Sequence, residues 1–80
     1  MLGELLEKAD IRKTEFAALV MVDRRSVHNW INGMEPRNHH IKAALDAMSE
    51  KVIQALQEEQ LPVKHLVGKE RLRALRLILK

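Results

Sequence analysis

Apolar residues recur at intervals of three and four along most of the chain, and this period commits it to helices. Ile41, Leu45, Met48, Val52 and Ala55 follow one another at spacings of 4, 3, 4 and 3. Side chains so spaced share one face of an α-helix, whereas a half-buried strand needs alternation. The spacing continues to Glu59 and predicts one long amphipathic helix over about 38–60. That helix either covers the core of its own subunit or packs in a dimer.

Shorter segments repeat the pattern. Leu2, Leu5, Leu6 and Ala9 predict a helix over 2–9, broken at Asp10 and Ile11, and Phe16, Ala17, Leu19 and Val20 predict another over 13–20. Asp23 suits the N-cap of a third helix, 24–32, because its carboxylate can accept from the backbone N–H groups that open a helix. Gly33 supplies its stop, and Pro36 marks a loop. Leu61-Pro62 ends the long helix. Leu72, Leu75 and Leu79 then lie on one face of a last helix over 69–80, with Lys69, Arg73, Arg76 and Lys80 on another.

The expected fold class is all-α: three short helices, a long fourth and a C-terminal fifth, forming one compact domain from a region 1–37 and a supporting region 38–80. A single core in a chain of 80 residues stabilises it by only about 3–5 kcal/mol, so partner chains are reasonable. The absence of cysteine excludes disulfides, thiolate metal sites and thiol catalysis, and agrees with a reducing cytoplasm. "MLGELLEK" is acidic where a signal peptide is basic, and no apolar run reaches a membrane-spanning length. A cytoplasmic, nucleoid-associated protein is expected, with no membrane partner.

Val27, Trp30 and Ile31 define the packed side of the 24–32 helix. A helical wheel puts Arg25, Asn29 and Asn32 nearly opposite, flanked by His28 and Ser26. Arg24 lies nearer the packed side, yet at a helix start it can still reach forward. Arginine pairs bidentately with guanine and asparagine with adenine, so this face has the chemistry of direct base readout; it also suits an ordinary solvated surface.

The stretch "FAALVMVDRRSVHNWING" resembles the helix-turn-helix of the phage Cro/repressor type, also called XRE-like. The resemblance covers about residues 4–36. It lies in Phe16-Ala17, Val20, Val22, Asp23, Val27 and Trp30, and in the trailing "WINGMEP". Ala17 is small where two helices crossing at ~90–120° must touch, and Val27 and Trp30 can fill the space against Phe16 and Val20. Three positions depart from the family pattern: Met21 stands where glycine is usual in the turn, Lys13 where glutamine is common, and Arg12 where a Ser or Thr cap is common. The resemblance implies a transcriptional regulator, a phage or prophage-type repressor, that binds double-stranded DNA at an operator as a homodimer. Base contacts would come from Arg24, Arg25, Asn29 and His28, and, by resemblance, phosphate contacts from Lys13, Thr14 and Asn32.

Charge complicates that expectation. Residues 1–60 carry eight Lys/Arg against ten Asp/Glu, and residues 61–80 carry six against one. The basic footprint of a DNA binder would thus have to come partly from the tail. "LRALRLILK" holds five Leu/Ile in nine residues. Some of that face must be buried, and a partner subunit is the simplest place, which makes Leu72, Leu75 and Leu79 the expected dimer contact. A solvated helix, a phosphate contact and a membrane-surface helix are other readings of its basic side.

No constellation suggests catalysis. His39 and His40 are adjacent and diverge by about 100° on a helix, so they are poor joint ligands. Glu58-Glu59 shows no acid/base spacing, and Ser26 and Ser49 have no triad company. No metal, cofactor or small-molecule ligand is expected. The runner-up function is a protein-interaction adaptor, an antitoxin or anti-repressor, on the same scaffold.

Overall fold

The computed structural model describes residues 2–80. Among them the regular structure is entirely helical: α1 (Leu2–Ala9), α2 (Lys13–Val20), α3 (Arg24–Ile31), α4 (His39–Gln57) and α5 (Gly68–Ile78). The first three match the expected spans to within a residue. The fourth is shorter at both ends. Asn38 stays outside it as the cap, its side-chain oxygen accepting from the N–H groups of His40 at 2.8 Å and Ile41 at 3.2 Å.

Three helices end in the same way. Asp10, Met21 and Glu59 adopt the left-handed conformation, with φ of 54°, 65° and 61°. Each turn lets the next N–H reach back to a carbonyl of the closing helix: Ile11 to Leu6 at 2.9 Å, Val22 to Ala17 at 2.9 Å and Gln60 to Ala55 at 2.8 Å. Glycine is the usual residue at such a position because a Cβ is strained there. Only α3 ends on glycine, at Gly33 with φ 99°.

The turn Met21–Val22–Asp23 sets α3 against α2, the helix pair in most extensive contact, and α4 packs across α1 and α2. Helix α1 also touches α3. There Gly3 faces Ile31 so closely that a Cβ would stand 3.2 Å from Ile31 Cγ2. Leu6, Ala9, Ile11, Phe16, Ala17, Val27, Val52, Ala55 and Leu61 are buried in one cluster. Trp30, expected as core, is half-buried and packs against its edge.

Helix α5 corrects the expectation for the tail. Leu75 is 0 % exposed and Leu79 is 2 % exposed, both inside the same cluster as Phe16 and Val52. They are therefore not a dimer surface; Leu72 beside them is half-buried. The physical reason is that helices α1 to α4 leave core residues that α5 can cover within its own chain. The radius of gyration, 11.8 Å, agrees with about 12 Å for one globule of this length. Region 38–80 therefore completes the core of the chain, and α4 likewise turns Val52 and Ala55 inward.

One member of the tail's basic set is also internal. Arg71 is 7 % exposed. Its Nε donates to Glu15 Oε2 at 2.7 Å and its Nη1 to the Val63 carbonyl at 2.8 Å, while Asp10 Oδ2 lies 3.6 Å from Nη1. Glu15 is at the same time the reciprocal cap of α2, where its Oε1 accepts from the Arg12 N–H at 2.9 Å. That contact explains how α2 starts cleanly although Arg12 offers no capping oxygen.

Candidate nucleic-acid interface

Helix α3 is anchored by one residue and capped by another. Val27 is 0 % exposed, which fixes the rotation of the helix. Asp23 holds its start: the Ser26 N–H donates to Asp23 Oδ1 at 2.9 Å and the Ser26 hydroxyl at 2.6 Å. These bonds, the hydroxyl's foremost, favour the ionised form and hold the Asp23 carboxyl below its ordinary range.

With that rotation set, Arg24, Arg25 and His28 are exposed and border one shallow depression. Arg24 also borders a groove between α1, α2 and α3, with Lys13 and Thr14 on its rim and Leu6, Ile11 and Ile31 beneath. Two side-chain contacts join the expected phosphate-binding residues to the expected base readers. Lys13 Nζ lies 3.1 Å from His28 Nδ1, and Asn32 Nδ2 lies 3.1 Å from His28 Nε2.

The expected residues thus fall into two groups. Lys13, Thr14, Arg24, Arg25, His28 and Asn32 form one continuous polar surface across the starts of α2 and α3 and the end of α3. Asn29 stands apart: it is half-buried and borders a different groove with Trp30, Met34 and Pro36.

Electrostatics around this surface are more favourable than the residue counts suggest. Arg12, Lys13, Arg24 and Arg25 stand on or beside it. Of the nearby carboxylates, Glu15 is offset by Arg71, while Glu7 borders the same groove and Asp23 feels the Arg25 charge. Among the described residues neither Arg24 nor Arg25 has an ion-pair partner.

Sequence reading missed two features here, the role of Arg71 and the Lys13–His28–Asn32 network. The i,i+4 relation of His28 and Asn32 was visible on the helix. Lys13 and His28 are 15 residues apart and meet only through the turn between α2 and α3. No family model, curated protein or solved structure matches the chain. The function is accordingly read from the residues and their geometry.

Proposed function

We propose that this protein is a sequence-specific DNA-binding regulator of the repressor type, with α3 entering the major groove. The observation that carries the reading is the arrangement of one helix. Val27 is fully buried while Arg24, Arg25 and His28 project from the exposed side, and Lys13 is tied to that side from the preceding helix. Arginines on an exposed helix face can read guanine O6 and N7 at a base edge, and a lysine at an adjoining helix start can hold the flanking phosphate. Arg24 and Arg25 are the base readers in this proposal, with Asn29 at the margin, and Lys13, Thr14 and Asn32 meet the backbone.

Operator recognition by a homodimer belongs to the same proposal, with half-site centres about 34 Å apart. The contact between copies would have to use a surface other than Leu75 and Leu79. Titration of a fluorescent random duplex against salt is the test. Weak binding at low salt that falls linearly in log–log form supports the reading, and selection from a random pool then yields the operator. Absence of any duplex binding at low salt would sink it in favour of the adaptor.

A further inference from the structure

We infer that His28 is a positioning residue and not a base reader: its ring ties Lys13, at the start of α2, to Asn32, at the end of α3, and sets both toward the DNA backbone. The inference rests on the reading of this face as a DNA-binding surface.

A neutral imidazole has one N–H and one lone pair. The Lys13 ammonium can only donate, so at 3.1 Å it takes the lone pair of Nδ1. The ring hydrogen then belongs to Nε2, whose partner must accept. The Asn32 atom placed 3.1 Å from Nε2 is Nδ2, a donor like the lysine; a neutral ring cannot accept from both, so the amide must be turned by half to bring its oxygen to the ring as the acceptor. Both ring nitrogens are then occupied. A base edge needs a free donor or acceptor, and His28 has none to offer.

The arrangement also gives the ring something to do. Lysine is a flexible point charge that loses rotamer freedom whenever it is held on a phosphate. A neutral ring that holds the ammonium in advance reduces that loss on binding. Arg24 and Arg25 border the same depression as the ring, and Lys13 contacts the ring. Held on the ring, the lysine stays available at the edge of the surface, where a backbone phosphate would lie.

Three measurements on the full chain test this. In the free protein, ¹⁵N resonances of the His28 ring should show the Nε2–H tautomer; an Nδ1–H tautomer overturns the network. His28→Ala should weaken binding about tenfold, the worth of one or two hydrogen bonds. The loss should be equal for the selected operator and for random duplex, and the salt slope should shrink by up to about one as Lys13 loses its hold. His28→Gln, whose carboxamide can accept from Lys13 and donate to Asn32, should restore both affinity and slope. A loss confined to the operator, with the slope unchanged, would make His28 a base reader and overturn the inference. If the wild-type chain binds no duplex, the DNA reading fails separately, and the ring tautomer alone decides whether the network exists.

Discussion

Helices α3 and α5 are both short, amphipathic and rich in arginine, and the chain uses them in opposite ways. In α3 one valine is buried and the arginines stay in water. In α5 Leu75 is buried, as is Leu79 at its C-terminal cap, and Arg71 goes in with them to meet a carboxylate and a carbonyl. The difference lies in what each helix finds opposite. Arg71 faces Glu15, which is only 12 % exposed, and a carboxylate so placed needs a charged partner. Nothing comparable faces Arg24 or Arg25 among the described residues, and those two remain available to a ligand. Packing withdraws only Arg71 from the tail; Lys64, Lys69, Arg73, Arg76 and Lys80 stay exposed.

The most disruptive test of this contrast is Arg71→Ala. It leaves the Glu15 carboxylate without its partner and should cost about 3–5 kcal/mol, enough to unfold much of the protein, measured by urea denaturation. Wild-type stability in this variant would mean that α5 is not committed to its own chain. Leu75→Ala should cost about 2–5 kcal/mol as a cavity in the core. Sedimentation of the folded variant should show the wild-type oligomeric state, and an assembly lost on this substitution would return Leu75 to an interface between copies.

Arg25→Ala probes the other side of the comparison. Stability should stay within about 0.5 kcal/mol of wild type, while binding to the selected operator weakens by about 1–3 kcal/mol and base choice relaxes at one position per half-site. An equal loss on every sequence would make Arg25 a phosphate contact.

Met21→Gly should raise stability by about 1 kcal/mol or somewhat less. It removes the left-handed strain of a side chain with φ 65°, partly offset by the greater freedom of glycine in the unfolded chain. A thermal melt moved upward by a few degrees, with operator affinity unchanged, is the expected result.

The smallest effect belongs to the cap of α3. The Asp23 carboxyl lies below its ordinary range when folded, so its contribution is present above the unfolded carboxyl's titration and is lost as pH falls through the folded value. An Asp23→Asn variant keeps a capping oxygen without that titration. Its acid unfolding curve should be shallower than wild type over the same window.

Much of the helical framework was legible in local terms. The apolar spacing located all five helices, Asp23 was readable as a cap and Gly33 as a stop, because each depends on residues within one or two turns. The exposed face of α3 was legible for the same reason: once Val27 is placed inward, helix geometry puts Arg25 and His28 outward. The break at Asp10 was legible too, but its left-handed backbone, and the end of α4 short of Glu59, were not. Neither is glycine, and whether a side chain accepts left-handed strain depends on the hydrogen bond and packing gained just beyond it.

Tertiary packing alone decided the rest. A stripe such as Leu72, Leu75 and Leu79 states that one face will leave water, and is silent on whether the cover is another helix of the same chain or a second copy. The answer came from packing at long range: Leu75 and Leu79 share a core with Phe16 and Val52, and Arg71 meets Glu15 across 56 residues. Burial is non-directional and depends only on the apolar area removed from water, so periodicity can name the face that hides but not the surface that hides it.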